Sequence, residues 1–254
     1  MQEDQGIGYH SQARSSLLES LEGFFGDLRN RKLEAKLAIV AYGELDDIGK
    51  VNAEVYHSID FSKIRKIVFL TEGKELAYSS ETWNTPLGKV DTDQGLVEKI
   101  REEFERNETA FKDNFEIEEQ LIFLQYRLDE FEFLPLTIPD EANQEKVSKL
   151  VEKLKEATGP HDLVIVPFNF AKINGEEKEK VVQKDHEIVK ALEEQDIKKF
   201  QKEAEEEELS GRKALEVGIR SKDLERFHRI RHDVIFKTDL EKGFSVGIGG
   251  FCYT

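Results

Sequence analysis

The sequence predicts an α/β fold in which helices flank a mostly parallel central sheet, within one domain spanning residues 1–254. Short apolar runs rich in β-branched residues alternate with longer stretches in which apolar residues recur at helical spacing. The apolar runs are nearly continuous, as expected for strands that are covered on both faces. No stretch rich in proline, glycine or serine divides the chain.

Six apolar runs are predicted to be strands because they are short and rich in β-branched or aromatic residues. They are residues 37–40, 67–70, 131–138, 163–166, 234–236 and 244–253. Only residues 237–243 separate the last two runs, which is too short for a crossover helix. We therefore expect these two strands to pair antiparallel at one side of the sheet.

Four stretches have apolar residues at helical spacing and are predicted to be amphipathic helices. Their apolar stripes are Leu17, Leu18, Leu21, Phe24, Phe25 and Leu28; Leu96, Val97, Ile100 and Phe104; Ile117, Leu121, Leu124 and Leu128; and Val147, Leu150, Val151 and Leu154. A fifth, weaker helix is predicted over residues 176–194. Asp91 and Gln94 predict a capping box at the start of the second helix.

The net charge and the cysteine content of the chain disfavour several classes of function and several compartments. The chain has 53 acidic and 37 basic residues and a formal net charge of −16, which disfavours binding to nucleic acid or to anionic membranes. The single cysteine, Cys252, permits no internal disulfide and fits a reducing compartment. No run of about 18 apolar residues occurs, and the first residues are acidic rather than basic. These features predict a cytoplasmic protein.

Ligands in open α/β sheets collect beyond the carboxyl ends of the strands, so a site is expected in the loops at 41–49, 71–80 and 167–175. The loop after the second strand leads to Trp83, the only tryptophan. Its indole ring could form a ligand platform or anchor a partner. A packing role that stiffens the loop is at least as well supported.

Other motifs give little support for catalysis. His228 and His232 have the i, i+4 spacing of a helical metal site, but arginines surround them and the segment is also compatible with a strand. Cys252 lies in an apolar terminal run, where a thiol is usually inert. The glycines at 247, 249 and 250 lie within a predicted strand rather than before a helix, so they do not predict a phosphate-binding loop.

Residues 81–91 read ETWNTPLGKVD, and residues 118–125 read EEQLIFLQ. These segments resemble the Memo family, which includes the vertebrate mediator of receptor-driven cell motility and the AmmeMemoRadiSam system protein B of prokaryotes. The first segment is similar to the family's W-x-T-P-L-G-x-V-x-x-D stretch. Residues 118–125, EEQLIFLQ, resemble its E-x-Q-L-P-F-L-Q helix, and residues 133–136 resemble the strand that follows. Weaker similarity covers Gly8 and Tyr9, residues 21–24 and residues 245–247.

The resemblance implies a fold similar to that of the extradiol-type (class III) non-haem iron dioxygenases. It also implies a pocket in which relatives hold iron, copper or zinc through histidines and a cysteine. The spacing of the motifs is kept over most of the chain. The resemblance therefore implies the fold of this chain more strongly than its chemistry.

The residues at the family's pocket positions differ from those ligands. The family's P-H-A-G-Y and G-P-N-H place Tyr42 and Lys74 at histidine positions, and its E-H-S aligns with residues 114–116, centred on Phe115. Its S-D-L-S-H-Y places Asn169 and Lys172 at an aspartate and a histidine, and its late Cys-Gly places Ser210 at the cysteine. Tyrosine, lysine and serine are poor ligands for such metals, so a degenerate site without a bound cofactor is predicted.

Two lysines in this altered pocket suggest a substitute for a cation. We hypothesise that Lys74 and Lys172 pair with carboxylates such as Glu72, Glu116 or Glu118, or bind an anionic ligand. Alternatively, both ammonium groups point into water.

Three functions remain open at this stage. The leading hypothesis is a non-catalytic, Memo-like binding or scaffold protein with an unknown protein partner or a small anionic ligand. Prokaryotic relatives are associated with a radical-SAM protein and an Ammecr-type protein.

The alternative is an enzyme. It would be metal-dependent, redox or dioxygenase-like, with Asp46, Asp47 and Glu118 as substitute ligands, or metal-free, with Lys74 and Tyr42 as acid or base. A structural oligomer subunit is the third.

Overall fold

A computed structural model describes residues 14–26, 28, 32–112, 114–239 and 242–254. Within this part of the chain, eleven strands form one mixed sheet with helices packed against it, which confirms the predicted α/β class. The similarity of Gly8 and Tyr9 to the family's opening turn lies outside the described residues. None of the described helices combines the length and the apolar character needed to cross a bilayer.

The described helices follow in chain order. They are α1 (Arg14–Phe25), α2 (Leu45–Ser58), α3 (Gln94–Ile100), α4 (Phe115–Arg127), α5 (Gln144–Ala157), α6 (Lys178–Glu193), α7 (Ile197–Glu206) and α8 (Arg212–Arg220). Short 3₁₀ turns occur at Phe61–Lys63 and Glu108–Phe111.

The strands are numbered in the same way. They are β1 (Leu37–Val40), β2 (Lys66–Glu72), β3 (Ala77–Tyr78), β4 (Trp83–Thr85), β5 (Gly88–Thr92), β6 (Glu105–Arg106), β7 (Glu132–Ile138), β8 (Asp162–Pro167), β9 (Asn169–Asn174), β10 (Phe227–Asp239) and β11 (Lys242–Tyr253).

The centre of the sheet consists of four parallel strands in the order β1, β8, β2, β7. Every residue of β1 is buried, and its alternate side chains enter two different cores. Leu37 and Ile39 face one core, whereas Ala38 and Val40 face the other. Because the strands are parallel, β1, β2 and β8 end at the same edge of the sheet, and that edge carries the candidate site.

The predicted antiparallel pair at one side of the sheet is confirmed. β10 and β11 pair from Phe227 with Tyr253 to Asp239 with Lys242, and β11 also pairs antiparallel with β1. β10 is much longer than the predicted run at 234–236, whereas β11 begins only two residues before the predicted run at 244–253. The glycines at 247, 249 and 250 lie in β11, as predicted.

All three predicted loops contain some regular structure, and residues 71–80 include β3. Residues 41–49 contain the start of α2, which the sequence analysis missed because Gly49 and Asn52 interrupt its apolar stripe. Residues 167–175 contain β9, which pairs antiparallel with β11. The helices α7 and α8 were also not predicted.

Two predictions about the helix that contains Leu96 were wrong. It was predicted to reach Phe104 but ends at Ile100, and its N-cap is Asp93, whose carboxylate accepts from the Leu96 N–H, rather than Asp91. His228 and His232 lie in a strand, β10, as the sequence allowed, with a bulge between them, so they do not share a helix face.

Candidate functional site

The segment that leaves β1, residues 41–43, is held by side chains from three other elements. Asn52 of α2 pairs with the backbone of Ala41: its Oδ1 accepts from the Ala41 N–H at 2.9 Å and its Nδ2 donates to the Ala41 carbonyl at 2.8 Å. Gln120 of α4 donates to the same carbonyl at 2.9 Å. Tyr56 donates to Gln120 at 3.0 Å. These buried amides fix the exit of β1 because each has its partners satisfied.

Asn169, at the start of β9, holds the next residue in the same way. Its Oδ1 accepts from the Tyr42 N–H at 3.2 Å, and its Nδ2 donates to the Tyr42 carbonyl at 2.8 Å. Both functional atoms of the carboxamide are therefore bonded to backbone. At a position where the resemblance implies an aspartate, this chain uses a group that both donates and accepts.

Gly43 completes this segment. Its φ of +144° lies in a region that side-chain-bearing residues rarely adopt. In this conformation its N–H donates to Glu119 Oε2 of α4 at 2.9 Å. The ammonium group of Lys237 in β10 lies beside this glycine and pairs with Asp47 at 2.8 Å. A lysine that the sequence analysis did not select therefore supplies the cation next to Glu119.

The side chain of Tyr42 begins a hydrogen-bonded chain that links three elements. Its phenol is bonded to Ser210, and the Ser210 hydroxyl donates to Glu72 Oε2 at the end of β2. Burial raises the pKa of Tyr42 above its ordinary value, and the carboxylates of Glu116 and Glu72 raise it further. The phenol is therefore a neutral hydrogen-bonding group at physiological pH.

Asp140 fixes the position of Ser210. Its carboxylate is buried and accepts from the Gly211 N–H at 3.0 Å and from the Lys213 N–H at 2.9 Å. It therefore satisfies backbone donors at the start of α8, as a capping side chain does. Burial raises the pKa of Asp140, and these N–H groups oppose the shift.

A cleft of about 480 Å³ opens between the end of β2 and the start of α4. It is lined by residues 72–75, Thr109, Ala110 and residues 114–116. Asn114 is the N-cap of α4 and also donates to Thr71 Oγ1 at 3.0 Å, which joins α4 to β2. The ring of Phe115, 41% exposed, stands at the edge of the cleft.

Two carboxyl groups on α4 have raised pKa values. Burial raises the pKa of Glu116 to about 8, and the neighbouring Glu72 and Glu119 contribute. Burial also raises the pKa of Glu119 to about 8, although the Gly43 N–H favours its charged form. At neutral pH these groups are largely protonated, so Glu116 presents a carboxylic acid to the cleft.

For the two selected lysines, the structure favours the solvent-exposed alternative. Lys74 is exposed at the cleft, and Lys172 is exposed on β9. The ammonium group of Lys172 lies 3.8 Å from the centroid of the Phe244 ring, a cation–π contact.

Trp83 is fully buried in β4, where it packs edge-on against Phe111 and Phe133. This position favours the packing role over a ligand platform.

The proposed substitute ligands do not come together. Asp46 is exposed, Asp47 is paired with Lys237, and Glu118 is buried in the first turn of α4. In the described ranges, no group of three or more His, Cys, Asp or Glu side chains has an arrangement that could hold a metal ion.

The structure therefore brings Tyr42, Ser210 and the backbone-binding Asn169 together, places Lys74 and Phe115 at an adjoining cleft, and leaves Lys172 apart. Sequence reasoning missed the roles of Asn52, Glu119 and Lys237. For Asn52, the signal was a polar residue within the apolar stripe of an overlooked helix.

The fold and site define an α/β protein with a single mixed sheet and a polar cluster at the carboxyl ends of its parallel strands. A sequence model described as Memo-like protein matches residues 5–251. A MEMO1 family protein from Methanosarcina mazei is 29% identical over 184 residues, 70% of this chain and 68% of that protein. A MEMO1 family protein from Pyrococcus abyssi is 30% identical over 175 residues, 61% of this chain and 60% of that protein.

Since the family match covers nearly the whole sequence, the chain belongs to the Memo family. The resemblance carried by residues 81–91 and 118–125 is thereby confirmed.

Proposed function

We propose that this protein is a non-catalytic Memo-like binding protein in which the family's metal pocket has been replaced by internal hydrogen bonds. One observation carries the proposal. The Tyr42 phenol is bonded to Ser210, the Ser210 hydroxyl to Glu72, and the Asn169 amide to the backbone of Tyr42. These polar groups therefore do not converge on a common point. Metal binding requires several donor atoms that face one centre and are free to coordinate.

The cleft beside this cluster is the proposed binding surface. It offers an exposed aromatic ring, a protonated carboxyl group and a capped helix start, all held on rigid elements. Glu72 and Glu75 outnumber Lys74 along its walls, which disfavours the small anion considered from the sequence. A protein partner that places a side chain against Phe115 fits this surface better.

A metal-free acid–base enzyme is the second candidate, because one observation favours it. Glu116 lines the cleft, and its pKa of about 8 suits proton transfer near neutral pH. Perturbed carboxyl groups in clefts are frequent at catalytic sites. Tyr42 is a weaker candidate for the acid because its phenol is bonded to Ser210.

Metal retention tests the proposal. The purified protein is incubated in turn with Fe²⁺, Cu²⁺ and Zn²⁺, desalted, and analysed for metal by elemental mass spectrometry. We expect far less than one ion per chain, because the phenol and hydroxyl groups present are poor ligands and are already bonded.

A restored variant provides the comparison. Tyr42→His, Lys74→His and Ser210→Cys together introduce the ligand types that the family resemblance implies, and we expect this variant to retain more metal than the natural chain. One tightly held ion per natural chain, lost on Tyr42→Phe with Ser210→Ala, would contradict the proposal.

A further inference from the structure

The histidine at position 232 has a buried partner that the proposed binding role does not use. Its Nε2 lies 2.7 Å from Oδ2 of Asp185, on the inward face of α6. The other carboxylate oxygen accepts from the Ala171 N–H of β9 at 2.8 Å. One carboxylate thus joins α6 to both β9 and β10.

The surrounding structure is shaped around this pair. Asp185 is completely buried, and the side chain of His232 is 17% exposed. A Cβ atom at Gly247 would overlap the Asp185 carboxylate, so β11 needs a glycine there. The ring of Phe170 packs edge-on against the imidazole, with ring centroids 5.8 Å apart.

Few charges face the carboxylate. From β10 it meets His232, from β9 the backbone of Ala171, and from the end of α7 the carboxylate of Glu207, which is itself paired with Lys184. Gly247 of β11 brings no charge. Because Glu207 is negative, the imidazole is the group that compensates the buried charge directly.

We propose that the Asp185–His232 pair is a pH-sensitive latch that fastens α6 to the ribbon formed by β9, β10 and β11. While the pair holds a proton, the Asp185 carboxyl group is either neutral or paired with a cationic imidazole. When that proton is lost, a buried negative charge remains with only neutral donors, and its desolvation weakens the contact between α6 and the ribbon.

The direction of the pH effect follows from the cause of the shift. Burial raises the pKa of Asp185, Glu207 raises it further, and the hydrogen bonds from His232 and Ala171 partly offset the rise. A group whose pKa is raised on folding stabilises the fold at low pH, and this contribution is lost as the pH rises through the raised pKa. For Asp185 this loss begins above its ordinary value of 3.8, so the latch loosens as the pH rises through the raised pKa.

The ribbon also carries Lys237, which contacts Asp47 beside Gly43. The latch therefore acts on the strand that places the Lys237 ammonium group beside the candidate site. The proposal of a latch does not depend on the proposed binding role.

Amide hydrogen exchange measures the latch directly. The full chain is labelled at a series of pH values from about 4 to about 9, rates are corrected for intrinsic exchange, and peptides from α6, β9 and β10 are compared. We expect opening of these segments to increase severalfold between the lowest and the highest pH.

Three variants complete the test. Asp185→Asn and His232→Gln keep polar side chains, but each removes one member of the carboxylate–imidazole pair, and each should lose most of the pH response. His186→Gln, an exposed neighbour on the same helix, should keep it. An equal response in the natural chain and in Asp185→Asn, or no response in the natural chain, would overturn the latch.

Discussion

At the scale of single residues, the candidate site depends on side-chain amides that bind backbone. Asn52 and Asn169 each form two hydrogen bonds with one residue of the segment after β1. A strand end is usually fixed by its neighbours in the sheet, whereas here Ala41 and Tyr42 are held from α2 and β9. The amide is needed because it donates and accepts at once.

Asn169→Asp tests this requirement. A carboxylate cannot donate to the Tyr42 carbonyl and would face it at close range, so we expect unfolding free energy to fall by about 1–3 kcal/mol. Denaturant unfolding monitored by circular dichroism measures the change.

Asn174→Asp is the matched control, since Asn174 is exposed at the other end of β9. We expect it to change stability by less than about 0.5 kcal/mol. Equal effects of the two substitutions would show that the contacts of Asn169 with Tyr42 contribute little.

Sequence reasoning reached some of these residues but not their roles. It selected Tyr42, Asn169 and Ser210 from the family resemblance, and the structure places all three at the end of the sheet. It did not foresee that they bind one another, because hydrogen bonds between distant segments leave no periodic pattern in the sequence. Of the alternatives left open for Lys74 and Lys172, the structure favours exposure to solvent, which long, charged side chains reach easily.

At the scale of elements, α4 unites the site. Its N-cap contacts β2, Glu119 binds Gly43, Gln120 binds Ala41, and Glu116 lines the cleft. Its stripe from Ile117 to Leu124 was predicted because the apolar residues repeat regularly. By contrast, α2 was missed, because Gly49 and Asn52 lie on its buried side: Phe24 packs against Gly49, and Asn52 binds Ala41.

The carboxyl groups of α4 predict a pH dependence of stability. Glu116 and Glu119 have pKa values of about 8 in the fold, above the ordinary value of 4.5. The folded chain therefore holds these protons more tightly, and their contribution to stability is lost as the pH rises from about 4.5 through about 8.

Glu116→Gln should flatten this decrease, because a neutral amide does not titrate. Thermal unfolding of the natural chain and the variant across this range measures the effect. Glu132→Gln, an exposed position at the start of β7, is the control and should keep the natural slope. A variant Glu116→Gln with an unchanged slope would show that Glu116 is charged throughout.

At the scale of the whole molecule, the fold was predictable because it follows from simple patterns. Apolar runs such as residues 163–166 favoured buried strands, and the gap between the last two runs was too short for a crossover helix and so favoured an antiparallel pair. Some peripheral strands were not predictable. β3 and β6 have two residues each, and β9 is only partly apolar, so their pairing depends on neighbours far away in sequence.

The central proposal is that the side chains at the family's pocket positions bind one another and the backbone across the ends of β1 and β2 and the start of α8, and so hold no metal. Crystals soaked separately in Fe²⁺, Cu²⁺ and Zn²⁺, with data collected at each absorption edge, test it most directly. We predict no anomalous peak between Tyr42, Ser210 and Asn169, and electron density that joins the Tyr42 phenol to Ser210 and Glu72. A strong peak coordinated by these side chains, with the hydrogen bonds between them broken, would contradict the claim.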